Sequence, residues 1–143
     1  SGGAYGEAVN DNLAYATDSI AGFWTLDVSD PANPVNLGST STPGYSWEIT
    51  AAGDFVYIAD RWDGLTIADV SDPANPVVVG NIVVSDQVLD VEVAGNYAYL
   101  ATYTEGLVVV DISDKSNPIF SGQFNTSGRS YGVFLDGNTV YIA

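Results

Sequence analysis

Cysteine, histidine and methionine are absent from the 143 residues. Without cysteine there is no disulfide framework and no thiol nucleophile. Without histidine there is also no imidazole metal site and no Ser–His or Cys–His dyad. Positive charge is nearly missing too: Arg61, Lys115 and Arg129 face 18 Asp and Glu, a formal net charge of −15. Phosphate contacts need clustered cations, so nucleic acid is not an expected partner, nor is an anionic membrane surface. No run approaches the roughly 18 apolar residues of a spanning helix, so no membrane insertion is expected. There is no signal-peptide pattern; the opening Ser1-Gly2-Gly3 reads as a mature, processed or trimmed terminus. Helical spacing of apolar residues is missing as well. The acidity itself reads either as solubility through mutual repulsion or as a surface that collects divalent or basic partners.

What is present is repetition. DVSDPANP stands at 27–34 and again at 69–76, and DISDKSNP at 111–118. Tyr15, Tyr57, Tyr99 and Tyr141 follow one another at steps of 42, as do Gly22, Gly64 and Gly106, and Pro34, Pro76 and Pro118. The units are 2–43, 44–85 and 86–127, followed by a partial unit at 128–143. At 46% hydrophobic, the chain has enough apolar material for one domain with a real core.

Each unit reads as four strands. In the second, WEITAA (47–52) is strand A, FVYIAD (55–60) is B, LTIADV (65–70) is C and VVVGNIV (77–83) is D. β-Branched and aromatic residues dominate these runs. Gly53-Asp54, Gly95-Asn96 and Gly137-Asn138 suit hairpin turns that need positive φ. Asp30, Asp72 and Asp114 are placed to close an Asx-type turn after strand C, and Pro34, Pro76 and Pro118 send the chain extended into D. Strand C is apolar on both faces (LVVVD at 107–111), the pattern of a strand buried on both sides. A four-stranded sheet covered on both faces by copies of itself is a propeller blade, and about 40–45 residues is the expected period.

FWTLDVSDPANPV, GLTIADVSDPANPV and GLVVVDISD resemble the LVIVD repeat, a bacterial and archaeal β-propeller repeat named for that strand. The resemblance implies a propeller of four-stranded antiparallel blades, commonly in secreted or cell-surface proteins and often beside anchoring or sorting domains. It implies no catalytic residues, because the family has no shared active-site motif. The expected fold is therefore an all-β propeller, incomplete at about 3.5 blades in this chain. The remaining blades would come from a longer parent chain or from identical subunits; an open monomeric stack is the third alternative.

The repeat also serves as a ruler for function. The A–B and C–D turns are nearly uniform and fall on one rim. The B–C loops (18–21, 60–63, 102–105) and D–A connections (41–46, 85–88, 125–130) differ and fall on the other. Divergent loops on rigid elements are where binding usually lives. Arg61, Trp62, Tyr45, Tyr103 and Arg129 lie there, and arginine beside exposed aromatics is contact chemistry for protein or glycan. The competing reading is ordinary loop or inter-blade packing. Trp24 and Trp47 are expected in the core, and Tyr15, Tyr57, Tyr99 and Tyr141 between blades with a hydroxyl partner. Asp30, Asp72 and Asp114 are weak calcium candidates beside their turn-closing role. Asp60 and Asp63 could pair as carboxylates, though solvated positions are expected for both. Asn125-Thr126-Ser127 is an N-x-S sequon. The leading functional expectation is a non-enzymatic scaffold for protein–protein or cell-surface interaction. The alternative is a propeller hydrolase or lyase acting on polysaccharide, with carboxylates at the central channel.

Overall fold

A computed structural model describes residues 3–143; Ser1, and Gly2 with which the first unit begins, lie outside the described residues. Hairpins form where a positive-φ residue interrupts two β-rich runs. The first turn residue has φ 54° at Asp11, 60° at Gly53, 58° at Gly95 and 57° at Gly137. That region is open to glycine and tolerated by aspartate.

The first blade comprises β1 (Ala4–Asn10), β2 (Leu13–Asp18), β3 (Gly22–Asp27) and β4 (Val35–Thr40). The second comprises β5 (Glu48–Ala52), β6 (Phe55–Ala59), β7 (Leu65–Asp69) and β8 (Val77–Ile82). The third comprises β9 (Val88–Ala94), β10 (Tyr97–Thr102), β11 (Gly106–Asp111) and β12 (Ile119–Phe124). A hairpin of β13 (Val133–Asp136) and β14 (Thr139–Ile142) ends the chain. Each four-stranded sheet is antiparallel with its strands in chain order. The outer strand of every blade carries the same bulge: Gly38, Gly80 and Gly122 pair with Thr25, Ile67 and Val109, and the residue before each glycine is skipped. The inner strands β1, β5, β9 and β13 adjoin in series around a common axis.

The DPANP turn proves to be more than a reversal. Asp30 and Asp72 each accept a hydrogen bond from the backbone N–H two residues on, at 3.1 Å, and from the side chain of Asn33 or Asn75, at 2.8 Å. Asp114 does the same with the N–H and hydroxyl of Ser116. The closed turn then leans on the preceding blade. The Thr25 hydroxyl donates to the Pro73 carbonyl. A Cβ at Gly38 would collide with the backbone of Pro73 and Ala74, and one at Gly80 with the Lys115 carbonyl.

Apolar side chains fill the two spaces between full blades. Tyr15 and Phe23 of the first blade meet Ile49, Val56, Ile58, Ala68 and Val70 of the second. Tyr57, Leu65 and Ile67 of the second meet Val91, Ala98, Leu100, Val108, Val110 and Ile112 of the third. Strand β7 is buried from Leu65 through Ala68, as its two-sided apolar pattern requires. Three expectations need correction. Trp24 is not core: it lies on the first blade's free face and is 38% exposed. Tyr99 is half-buried and Tyr141 exposed, because the last hairpin covers little and is itself uncovered. Tyr15 and Tyr57 do pack between blades, but no hydrogen bond reaches either phenol among the described residues. Burial pushes both phenol pKa values up.

Candidate functional site

The two rims differ as their loop sequences do. On the uniform rim one bond recurs in every blade: Val28, Val70 and Ile112 donate N–H to Asn12, Asp54 and Asn96 carbonyls, each at 2.8 Å. On the opposite rim the connections vary more, although the Thr42–Ser46 hydroxyl pair recurs as Thr126–Ser130, and there a cleft of about 310 Å³ opens between the second and third blades and the last hairpin. Trp47, Arg61, Gln87, Leu89, Tyr103 and Tyr131 line it.

Arg61 organises the cleft. Its backbone is left-handed at φ 50°, uncommon outside glycine, and it is held there by Val88 N–H donating to its carbonyl at 3.0 Å. Its guanidinium donates through Nε (3.1 Å) and Nη2 (2.6 Å) to the Gln87 amide oxygen and lies 4.8 Å from the Trp47 ring centroid. Tyr5 stacks on Trp47 at 4.4 Å. Arg129 lies 4.9 Å from the centroid of Tyr103, which meets Tyr131 edge-on at 5.7 Å. Among the described residues neither guanidinium has a carboxylate within 4.0 Å.

The five rim residues read from sequence therefore divide. Arg61 and Tyr103 line the cleft, and Arg129 stacks on its wall. Tyr45 and Trp62 are exposed, the latter at 61%, and stand outside the lining. Trp47 is a correction: it precedes β5, is half-buried, and forms the cleft wall rather than the core. Leu89, Gln87 and Tyr131 were not singled out by sequence. The signal was there in the repeat: Tyr5, Trp47, Leu89 and Tyr131 occupy one 42-residue column, Arg61 and Tyr103 a second, and Tyr45, Gln87 and Arg129 a third.

Buried carboxylates anchor the loops beneath. Asp60 is fully buried, which corrects the expectation of a solvated side chain. It accepts from the Thr42 hydroxyl (2.9 Å), Gly44 N–H (3.0 Å), Ser46 hydroxyl (3.1 Å) and Thr66 hydroxyl (2.9 Å). All its partners are neutral donors within the blade contact, so it ties a D–A connection to a B–C loop; Asp63 is half-buried. Asp86 performs the same task one blade on, accepting from Gln87 N–H at 2.8 Å, the Thr104 hydroxyl at 2.9 Å and Thr104 N–H. Burial alone would raise the Asp86 pKa, but these bonds outweigh it and hold the carboxyl below its ordinary value.

A second concavity, about 400 Å³, follows the axis and gathers Glu7, Glu48, Asp90 and Glu92 beside apolar strand residues. Burial raises the Glu48 carboxyl, with further pressure from the charges of Asp90 and Glu7. Burial likewise raises Asp90, although Val133 and Val91 each donate an N–H to it at 2.8 Å. Glu92 is raised by burial and by Asp90. The calcium candidates Asp30, Asp72 and Asp114 stand one per blade, with their oxygens engaged in their own turns. Among the described residues no group of three or more His, Cys, Asp or Glu is arranged to hold a metal ion.

The LVIVD repeat pattern matches residues 1–42, 43–84 and 87–126. The chain belongs to the LVIVD repeat family. No curated protein matches this LVIVD chain significantly. Among solved structures, the computationally designed Ika4 protein is similar with a TM-score of 0.77 at 7% identity, over 99% of this chain and 85% of Ika4. AztD from Citrobacter koseri, in its apo form, gives 0.68 at 14% identity, over 98% of this chain but 40% of AztD. Glutaminyl cyclase from Myxococcus xanthus gives 0.60 at 16% identity, over 97% of this chain and 66% of that enzyme. At such identities the likeness concerns the fold alone. The LVIVD chain is thus a β-propeller of three four-stranded blades and a two-stranded piece, and it spans about two fifths of the length of AztD.

Proposed function

We propose that this LVIVD-repeat protein is a non-enzymatic recognition module, secreted or at the cell surface, that takes a protein or glycan on its divergent rim. The observation that carries this reading is the cleft at Trp47, Arg61, Gln87, Leu89, Tyr103 and Tyr131. Consecutive blades supply its walls, and Asp60 and Asp86 fix the loops from beneath, so the contact surface is organised before any partner arrives. Pre-organisation lowers the entropic cost of binding, and tyrosine, tryptophan and arginine are the residues that concentrate binding energy. Further blades, from a longer parent chain or from identical subunits, would extend the same rim.

The test is an array of immobilised glycans and surface-protein peptides probed with the wild-type chain and with Tyr131→Ala. Retention that Tyr131→Ala lowers at least tenfold, at unchanged Tm, supports the reading. Equal retention by both proteins on every spot contradicts it.

The axial carboxylates favour a second reading, a polysaccharide hydrolase or lyase whose site is completed by further blades. Glu48, Asp90 and Glu92 converge there with raised pKa values, and carboxyls so shifted suit general acid work. Release of reducing ends or unsaturated sugars from a polysaccharide panel, lost in Glu48→Gln, would support this reading over the first.

A further inference from the structure

We infer that the rim cleft recognises an acidic sugar, a uronate-type unit whose ring lies against Tyr131 and whose carboxylate is met by Arg61 and Arg129. The inference rests on the rim being the binding surface and names what that surface takes. Its basis is charge first. The chain holds three cations against 18 carboxylates, and two of the three stand at this one cleft, each stacked on an aromatic ring rather than paired with an acid. Apart from Lys115 at the third blade's turn, the protein offers an anion no other cation; here two guanidiniums stand with no carboxylate within 4.0 Å among the described residues. Stacking also holds each guanidinium in place, so less side-chain freedom is lost when a carboxylate arrives.

The second basis is that the cleft has side chains to offer and almost no backbone. Trp47 N–H donates to Ala59, Val88 N–H to Arg61, Tyr103 N–H to Gln87 and Ser130 N–H to Tyr103, so these four amides beside the cleft are already engaged. An extended peptide would find none of these amides free for strand pairing. A sugar needs none: its ring takes an aromatic face, its hydroxyls take side-chain amides and phenols. Tyr131 is 59% exposed and presents such a face. Gln87 receives Arg61 on its carbonyl oxygen, which leaves its amide N–H groups as the donors it can offer a ligand. A cleft of about 310 Å³ is also at the small end for a ligand site, the scale of one or two sugar units.

The experiment is calorimetric titration of the 143-residue chain with trigalacturonate, with its neutral methyl ester and with hexaglutamate, repeated for Arg61→Gln, Arg129→Gln and Tyr131→Ala. The expected result is that trigalacturonate binds at least tenfold more tightly than the ester and than hexaglutamate. Each arginine variant should weaken the acid at least fivefold and leave the ester unchanged; Tyr131→Ala should weaken both. Equal binding of acid and ester, no binding of the acid, indifference to both arginine variants, or tighter binding of hexaglutamate would each overturn the inference. The rim reading survives such a result if binding of the ester or the peptide still depends on Tyr131, and falls if no probe responds to any rim variant. Arg129 has no left-handed backbone, so Arg129→Gln keeps the test decisive should Arg61→Gln fail to fold.

Discussion

The back faces of the first and second blades are written in the same columns and meet different fates. In the second blade Ile49, Val56, Ile58, Thr66, Ala68 and Val70 are all buried. Their counterparts one repeat earlier, Glu7, Ala14, Ala16, Trp24, Leu26 and Val28, are half-buried or exposed. The sheets have the same strand order and the same bulge. What differs is that the first blade stands against the second's back face, and among the described residues nothing stands against its own. The outer strands repeat the lesson: a Cβ at Gly80 would strike the next blade's turn, whereas one at Gly122 would meet nothing. Burial in this protein is thus a property of a position and its neighbouring blade together.

The comparison is broken hardest at a covered position. Leu100 is fully buried in the contact between the second and third blades, so Leu100→Ala should lower stability by about 2–5 kcal/mol. Ala16, its column mate on the open face, should accept leucine within about 0.5 kcal/mol. Denaturant unfolding of both variants checks the contrast. Next in size is the glycine pair: Gly80→Ala must displace the Lys115 turn and should cost about 1–3 kcal/mol, while Gly122→Ala should be near neutral. Loss of the turn bonds in Asp72→Ala should lower Tm by less than Gly80→Ala does, because the turn is exposed.

A smaller effect is expected with pH. The Glu48 carboxyl, raised first by burial, holds its proton to higher pH in the folded chain than in the unfolded one. Its contribution is therefore complete below the ordinary carboxylate range and is lost as pH rises through the elevated pKa. Glu48→Gln should be more stable than wild type at pH 7, and the difference should shrink toward about pH 4. Asp27, Asp69 and Asp111 run the other way: hydrogen bonds from Ser29, Ser71 and Ser113 hold them low, so their contribution is lost as pH falls through the depressed values. Thermal melts across pH separate the two sets. Smallest of all, Trp62→Ala should leave the melt unchanged, since the ring stands in solvent.

Architecture was legible because it is local and repeated. Asp30, Asp72 and Asp114 close turns with residues two or three places on, so the bonds follow from the motif itself. Strand C of the second blade declared its two-sided burial in LTIAD. The misreadings share a different cause. Trp24 looks like core by type and strand, but no described blade stands against its face, so the ring stays partly exposed. Asp60 looks like a loop acid, yet Thr42 and Ser46 reach it from the preceding connection. The cleft is not legible within any one repeat because its walls come from different blades: Trp47 and Tyr131 share a column two repeats apart.

Hydrogen–deuterium exchange comparing β2 with β6 tests the central claim most directly. Both strands sit inside four-stranded sheets with the same hydrogen-bonded partners, and they differ in whether a blade covers the back face. Amides of β6 should exchange at least tenfold more slowly than those of β2. Equal protection of the two strands would contradict the claim that each blade is stabilised by the copy standing against it.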